Sequence, residues 1–122
     1  MEFRHISGSH YNHIIAYLNK EYVGAIKYSY KSPEHIYIDE LQVSSRYRGQ
    51  GYGTALLTEV FRIPMIEKYS LIAREYYEKW GRLEAFYERN GFMAIGESDI
   101  SIDGEFYREI RMEKLTIALT PN

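Results

Sequence analysis

The sequence predicts a mixed α/β fold, of the α+β type with a mixed sheet, in a single domain that spans residues 1–122. Three observations support this class. The first forty residues alternate between β-rich segments and short turns, a glycine-dense turn then leads into an amphipathic segment, and a second helical segment precedes a hairpin pattern. A chain of 122 residues is long enough for one hydrophobic core and too short for two.

Four segments rich in β-branched and aromatic residues occupy the N-terminal part of the chain and predict antiparallel strands. The second and third are separated only by Asn19-Lys20-Glu21, which predicts a hairpin. The breaker Lys31-Ser32-Pro33 marks the entry to the fourth. The predicted strands are Phe3 to Ile6, His10 to Leu18, Tyr22 to Tyr30 and His35 to Val43.

An amphipathic helix is predicted to follow, from about Gly51 to Arg62. Its apolar spacing places four side chains towards a core. Pro64 ends or kinks this helix, because proline has no backbone N–H to continue the hydrogen-bond pattern. The side chains expected to point inward are Ala55, Leu56, Val60 and Phe61.

The second half of the chain predicts a strand, a helix and a closing hairpin. The strand is short, near Tyr69 to Ala73, and the helix covers Gly81 to Asn90. Asp103-Gly104 is typical of a tight hairpin turn, so the segments on either side of it are expected to pair. These segments are Ala94 to Ser101 and Phe106 to Leu115, and the tail from Thr116 to Asn122 is predicted to be loose.

Composition narrows the classes of function. A net charge of −2 and a pI near 6.1 argue against nucleic-acid binding, which usually requires a basic surplus on one face. The chain has no cysteine, which excludes disulfides, thiol nucleophiles and thiolate metal sites. No apolar run approaches the length of a membrane span and the N-terminus lacks the pattern of a signal peptide, so we expect a cytoplasmic protein without a membrane partner.

The segment Leu41 to Leu57, LQVSSRYRGQGYGTALL, is the most informative part of the sequence. An apolar strand runs through a basic turn into a helix, and this order builds an anion-binding cradle. Gly49, Gly51 and Gly53 allow a tight turn that exposes backbone N–H groups, while the helix adds free donors and the positive end of its dipole. Arg46 and Arg48 are the basic residues of the turn.

Two better-known glycine-rich loops do not match this spacing. A P-loop needs Lys-Ser or Lys-Thr after its last glycine, whereas Thr54 and Ala55 stand here. A dinucleotide fingerprint needs a third glycine at the position that Thr54 occupies. The pattern that remains is Arg48-x-x-Gly51-x-Gly53 after an apolar strand end. It resembles the acetyl-CoA-binding signature, Gln/Arg-x-x-Gly-x-Gly/Ala, of the GNAT family of N-acetyltransferases.

A second stretch supports the resemblance. Residues 86–92, FYERNGF, are similar to the late helix-to-strand element of that family, FYxxxGF, and follow the glycine turn in the family order. Considered alone, the same residues describe core aromatics around a glycine that ends a helix. Together the two motifs and the surrounding strand pattern extend the resemblance over nearly the whole chain.

The resemblance implies acetyl-CoA as the co-substrate. The main chains of Leu41 and Val43 would pair with its pantetheine arm. The family often carries an asparagine seven residues before the helix tyrosine, and Trp80 stands there in this chain, so that contact is in doubt. No metal is expected, since the two histidines near the second strand, His10 and His13, point to opposite faces. The implied cofactor-binding residues of the turn are Arg48, Gly49, Gln50, Gly51, Tyr52, Gly53 and Thr54.

The resemblance also implies the catalytic residues. Asp39 and Glu40 look like the acidic pair with which several relatives orient the amine, or a water that removes its proton. Because side chains alternate along a strand, one carboxylate is expected to face the acceptor and the other to face away. Tyr87 of the FYxxxGF element is expected to protonate the departing CoA thiolate, or only to hydrogen-bond the sulfur or the backbone. A backbone amide near Val43 would meet the oxyanion.

One departure from the family layout concerns the acceptor side. The family commonly places one or two helices between the first two strands, where this chain has only Ser7, Gly8 and Ser9. These helices are therefore expected to be reduced or absent. The acceptor side should be open or completed by another subunit, which favours a macromolecular acceptor. An exposed strand edge and many surface tyrosines favour a homodimer.

The function predicted by these residues is direct transfer of the acetyl group from acetyl-CoA to a primary amine. The acceptor is a protein lysine or N-terminus, or a small amine, because the acidic residues suit any cation. Two alternatives stay open. One is a sensor or scaffold that binds acyl-CoA without turnover, and the other is a modifier that is active only in complex with one protein partner.

Overall fold

The computed structural model describes residues 1–76 and 81–116. This part of the chain contains seven strands and two α-helices, so the predicted mixture of helix and sheet is confirmed. The chain divides into two compact units, residues 1–66 and residues 67–122. The assignment of residues 1–122 to a single domain stays a prediction.

The first unit is an antiparallel meander of four strands followed by a helix. These elements are β1 (Glu2–Ser7), β2 (Asn12–Leu18), β3 (Glu21–Ser32), β4 (His35–Val43) and α1 (Tyr52–Phe61). All four strands agree with the prediction, and β4 has the predicted bounds. The turn between β2 and β3 contains only Asn19 and Lys20, both with positive φ (49° and 68°), which is the backbone of a type I′ turn.

Helix α1 packs on the meander through one apolar stripe. Leu56, Leu57 and Val60 are fully buried and share this stripe, because residues three and four positions apart lie on the same face of a helix. Ala55 and Phe61, which were also expected to point inward, are only partly buried, and the prediction missed Leu57. The fully buried sheet residues of this unit are Ile14, Ala16, Val23, Ile26 and Ile36.

The connection between β1 and β2 consists of residues 8–11 and contains no helix, as predicted. The two strands pair along their whole length, with Ser7 opposite Asn12 at the turn. A Cβ atom on Gly8 would lie 2.5 Å from the carbonyl oxygen of Tyr11, so this tight turn requires glycine. The connection therefore adds no cover to the sheet.

The second unit contains three antiparallel strands and a helix. These are β5 (Lys68–Tyr76), α2 (Arg82–Arg89), β6 (Met93–Ile102) and β7 (Glu105–Leu115). Strand β7 lies between β5 and β6, and the predicted Asp103-Gly104 turn joins β6 to β7 with positive φ at both residues. Strand β5 is longer than predicted at both ends. Within residues 1–76 and 81–116, no helix has the length and apolar character needed to cross a membrane.

Helix α2 ends in a Schellman motif, which accounts for the FYxxxGF pattern. Gly91 has φ of 94° and donates its N–H to the carbonyl of Glu88, while the N–H of Phe92 reaches back to the carbonyl of Tyr87. The rings of Tyr87 and Phe92 also pack edge to face at 5.6 Å, the apolar contact that accompanies this motif. The pattern therefore fixes the end of the helix that carries the tyrosine.

Candidate functional site

The glycine turn of the first unit forms an open cradle at the start of α1. Gly49 and Gly51 have φ of 73° and 89°, and a Cβ atom added to either would meet nothing within 4 Å. The first hydrogen bond of the helix runs from the Ala55 N–H to the Gly51 carbonyl, at 3.0 Å. The three preceding N–H groups therefore have no acceptor within the helix. They belong to Tyr52, Gly53 and Thr54.

The electrostatics of this helix start suit an anion. The first turn of α1 contains no acidic residue, and Gly51 offers no side chain to cap the free N–H groups. The positive end of the helix dipole is thus uncompensated by the helix itself. The helix start offers free backbone donors and the positive end of the dipole, and the glycines leave space for a ligand to approach. These features fit a phosphate or pyrophosphate group.

The basic and amide side chains of the turn brace its backbone. The Nε of Arg48 donates to the Val43 carbonyl at 3.1 Å, and the Nε2 of Gln50 donates to the carbonyl of Arg46 at 3.2 Å. Arg46 pairs with Glu21 at 2.5 Å, with both side chains largely exposed. Such exposed pairs are weak, so the charge of Arg46 stays available at the turn. Direct contact of Arg48 or Gln50 with a ligand stays a prediction.

The end of β4 directs some of its main-chain groups away from β3. The N–H of Ser44 donates to the Val23 carbonyl of β3 at 2.8 Å. Because peptide groups alternate in direction along a strand, the main-chain groups of Leu41 and Val43 point away from β3. The bond from the Arg48 side chain to the Val43 carbonyl agrees with this direction. An extended ligand could pair with these groups as an added strand would.

A β-bulge separates the residues of the acidic pair. Lys27 of β3 lies opposite Glu40 of β4. The next residue of β3, Tyr28, lies opposite Ile38, so Asp39 is an extra residue without a partner in the ladder. The regular alternation of side chains is therefore interrupted between Ile38 and Glu40.

This bulge corrects the prediction that the two carboxylates face opposite sides. Oδ2 of Asp39 accepts a hydrogen bond of 3.0 Å from the hydroxyl of Ser29. Ser29 lies two residues from Lys27 on β3, so the two side chains are on the same face of the sheet. Glu40 is the cross-strand partner of Lys27 and is therefore on this face as well. Both carboxylates are exposed on one face of the sheet, because the extra residue cancels the alternation.

A cavity of about 150 Å³ opens on this face of the first unit. Three neighbouring strands supply its walls, and the face lies opposite α1, since the intervening Ile26 is fully buried. Its volume is smaller than the 300 to 1,000 Å³ typical of sites for drug-sized ligands. The cavity therefore has room for only a small chemical group. Its lining residues are His13, Ala25, Lys27, Glu40 and Gln42.

Tyr87 lies on α2 in the second unit. Its ring is 7% exposed and packs between Phe86 and Phe92, with centroids at 5.1 and 5.6 Å. Burial raises the pKa of Tyr87 to about 12, because the phenolate is poorly solvated there. Among the described residues, every fully buried side-chain oxygen has a hydrogen-bond partner. The Tyr87 hydroxyl has no such partner among these residues, so it is not fully buried and reaches the surface of the ring cluster. It is protonated at neutral pH and can donate a hydrogen bond.

A buried carboxylate, which the sequence reasoning missed, holds the start of α2. Glu75 of β5 is 3% exposed and accepts three backbone N–H groups at 2.5 to 3.0 Å. Arg108 lies beside it, with its Nη1 atom 3.7 Å from Glu75 Oε2 and 3.0 Å from Glu84 Oε1. The strand pattern contained a signal for this residue, since every second side chain from Tyr69 onward is buried. The three N–H groups belong to Gly81, Leu83 and Glu84.

The structure brings some of the predicted site residues together and leaves others apart. The cradle, the end of β4 and the acidic pair all belong to the first unit, whereas Tyr87 belongs to the second. Trp80, predicted at the usual asparagine position, lies outside the described residues. Within residues 1–76 and 81–116, no group of three or more histidine, aspartate and glutamate side chains is arranged to hold a metal.

Comparison with protein families gives a match over most of the chain. Residues 9–94 match the family described as "Acetyltransferase (GNAT) domain". This range contains the glycine turn, the acidic pair and the FYxxxGF element. A search of curated proteins found no match.

Solved structures with a similar fold include three acetyltransferases. A GNAT family acetyltransferase from Elizabethkingia anophelis with acetyl-CoA bound is 19% identical, with a TM-score of 0.70 over 86% of this chain and 76% of that one. The spermidine/spermine N-acetyltransferase SpeG from Vibrio cholerae, in complex with manganese ions, is 17% identical, with a TM-score of 0.71 over 88% and 66%. The IAA acetyltransferase from Bacillus cereus ATCC 14579 is 16% identical, with a TM-score of 0.70 over 86% and 77%. Identities this low show a shared fold, and the chain spans only part of the length of each relative.

Proposed function

Since this chain belongs to the GNAT acetyltransferase family, we propose that it transfers the acetyl group of acetyl-CoA directly to a primary amine. The observation that carries the proposal is the open cradle at the start of α1, in the turn that connects the end of β4 to this helix. Relatives with this fold bind acetyl-CoA or are named for an amine substrate, spermidine or spermine. Acetyl-CoA supplies the activated acetyl thioester, and the residues of the chain bind, orient and move protons.

The geometry of the first unit supports a specific set of binding groups. The free N–H groups of Tyr52, Gly53 and Thr54 would hold the pyrophosphate, with Gly49 and Gly51 leaving room for its approach. The main-chain groups of Leu41 and Val43, which point away from β3, would pair with the pantetheine arm. The N–H of Val43 would also stabilise the oxyanion that develops on the acetyl carbonyl.

The amine must lose a proton before it attacks, because an alkylamine has a pKa of about 10 and is mostly an ammonium ion at neutral pH. The bulge places both candidate bases, Asp39 and Glu40, on one face of the sheet. Asp39 already accepts a hydrogen bond from Ser29, whereas Glu40 lines the cavity and forms none of the side-chain hydrogen bonds or ion pairs found in the described residues. Glu40 is therefore the better base, and Asp39 a second carboxylate that attracts the ammonium ion.

We predict that Glu40→Gln lowers kcat by roughly 100-fold, as expected for the loss of a positioned base. Asp39→Asn should lower it by less than about tenfold, since the asparagine can still accept the Ser29 hydrogen bond through its amide oxygen. Initial rates at saturating acetyl-CoA would measure both effects. Equal rates for Glu40→Gln and the unmodified protein would contradict this assignment.

Tyr87 would act on the sulfur of the leaving group. Its pKa of about 12 keeps the hydroxyl protonated, but it lies above the value of about 8.5 for an ordinary cysteine thiol. Full proton transfer to a thiolate is therefore uphill, and a hydrogen bond that stabilises the developing charge on sulfur is favoured. This supports the hydrogen-bonding alternative over the acid role for this residue.

We predict that Tyr87→Phe leaves the Kd for CoA within about twofold and lowers kcat roughly 10- to 100-fold, because only the hydroxyl is removed. The ring keeps its contacts with Phe86 and Phe92, so the fold should be retained. Calorimetric CoA binding and thiol release on the same sample would separate the two effects. An unchanged kcat would exclude a role for the hydroxyl in transfer.

A modifier active only with one protein partner is the second candidate, and the short β1–β2 connection favours it. Without helices there, the first unit offers no further segment between its first two strands to position an acceptor. A partner protein could supply that surface. The predicted homodimer is one form of such completion, and it stays a prediction, as does the cytoplasmic location.

The test is thiol release from acetyl-CoA against a mixed panel of peptides, polyamines, aminoglycosides and amino acids, together with calorimetric CoA binding. Turnover with one amine class would establish the activity. Tight CoA binding without turnover would favour the partner-dependent modifier or a sensor. Absence of CoA binding would refute the proposal.

A further inference from the structure

We propose that the acceptor is a zwitterion, a primary amine that carries a carboxylate within a few bonds, as a free amino acid does. The inference rests on the proposed function and concerns the acceptor cavity on the sheet face opposite α1. That cavity contains one anionic side chain, Glu40, and one cationic side chain, Lys27, in addition to His13 and Gln42. Each charge would recognise one end of the zwitterion.

The two charges of the cavity do not neutralise each other. Lys27 and Glu40 are direct cross-strand partners, a position in which opposite charges commonly pair. No ion pair within 4 Å includes either of them in the described residues. Instead, Nζ of Lys27 lies 4.0 Å from the centroid of the Tyr11 ring, a cation–π contact that does not neutralise its charge.

The charge pattern selects against acceptors that are cationic throughout. A polyamine would place a second ammonium group near Lys27, and like charges at short range repel. A carboxylate at the same place would gain a charge-assisted hydrogen bond from Lys27. His13 and Gln42 offer further donors, and the amine end would lie at Glu40.

The size of the cavity agrees with a small end group. Its volume of about 150 Å³ is too small for an aminoglycoside-sized ligand, but it suits an amine and a carboxylate separated by few bonds. The rest of the acceptor would extend over the exposed sheet face, which the four-residue β1–β2 connection leaves uncovered by any helix of its own.

The reaction with such an acceptor is a balanced acyl transfer. The ammonium group loses one proton to Glu40, and the nitrogen lone pair forms the new N–C bond. The C–S bond then breaks, the nitrogen loses its second proton and the sulfur is protonated. The products are an N-acetyl amino acid, free CoA thiol and one proton released to solvent. The carboxylate end stays bound at Lys27 and does not react.

The test compares an amino acid with its carboxamide, which differ only in the carboxylate, and with a diamine. With the unmodified protein, we expect kcat/KM for the amino acid to exceed that for the carboxamide by at least tenfold. Lys27→Glu should abolish or reverse this preference and raise the relative rate with the diamine. The Kd for CoA should not change, because Lys27 lies outside the cradle.

The matched control is Lys31→Glu. Lys31 is on the same strand and lies over the ring of Tyr37 at 4.8 Å, but it does not line the cavity. It should leave the preference between amino acid and carboxamide unchanged. An equal loss of preference in both variants would assign the effect to overall charge and overturn the inference.

The failure of this inference is distinguishable from failure of the proposed function. Turnover of diamines or peptides without preference for the carboxylate would overturn the zwitterionic acceptor and leave the acetyltransferase intact. If no acceptor turns over, calorimetric titration of amino acid and carboxamide into the CoA complex decides. Equal or absent binding of the two would overturn the inference, whereas selective binding of the amino acid, lost in Lys27→Glu, would support it.

Discussion

Replacing Gly51 by aspartate should raise the Kd for CoA at least 100-fold, a loss of about 2.7 kcal/mol of binding free energy. Gly51 precedes α1, and the space that its missing Cβ leaves is open to a ligand. An aspartate there would place a negative charge where the pyrophosphate binds. It would also strain the turn that presents the free N–H groups, because Gly51 has φ of 89°.

The control for this variant is Gly104→Asp. Gly104 has φ of 80° and, like Gly51 with 89°, an empty space where a Cβ would lie. Both substitutions therefore impose a similar backbone strain, but Gly104 lies in the β6–β7 turn of the second unit. Calorimetry should show normal CoA affinity for Gly104→Asp. Normal affinity in Gly51→Asp as well would refute the cradle as the phosphate site.

Replacing Glu75 by glutamine should lower the free energy of unfolding by about 3 kcal/mol. The glutamine keeps the shape of the side chain, but its NH₂ group replaces one of the two oxygens that face backbone N–H donors. At least one buried donor is then unsatisfied, and Arg108 loses one of its three carboxylate neighbours. Since domains of this size have only about 5 to 15 kcal/mol of stability, the effect is large.

Glu109→Gln is the matched control for Glu75→Gln. Glu109 also pairs with an arginine in the second unit, Arg74 at 2.7 Å, but half of the arginine side chain is exposed. Its loss should cost less than about 1 kcal/mol. Urea denaturation followed by circular dichroism would measure both variants, and hydrogen exchange would report the start of α2. Similar losses for the two would show that the Glu75 carboxylate does not hold the helix.

The strands and the cradle could be predicted because their signals are local. The bounds of β4 follow from the strand-breaking residues before it and the basic turn after it. The β6–β7 turn is predicted by two adjacent residues, Asp103 and Gly104. The cradle likewise depends on neighbours in sequence, since Gly49 and Gly51 need positive φ at positions that the motif marks. The Schellman motif behind Tyr87 is local in the same sense.

The acidic pair and the buried carboxylate depend on contacts distant in sequence. The bulge at Asp39 arises from the register between β3 and β4, which the alternation rule assumes to be regular. The cavity needs β2, β3 and β4 to be in register before His13, Lys27 and Glu40 lie side by side. Glu75 continues the buried alternation of β5, but only the backbone of α2 explains why a charge is accepted there. Sequence reasoning treats such a residue as the end of the strand.

The four-residue connection between β1 and β2 has a consequence for the role of the acceptor itself. Many enzymes close a mobile segment over the reactants and so expel water from the thioester or its equivalent. Glu40 and Gln42 are exposed, and the connection supplies no such segment. Under the proposed function, the molecule being acetylated, or a partner bound on the same face, would then exclude the water. The substrate would serve as its own lid, and hydrolysis would be the default fate of a thioester left uncovered.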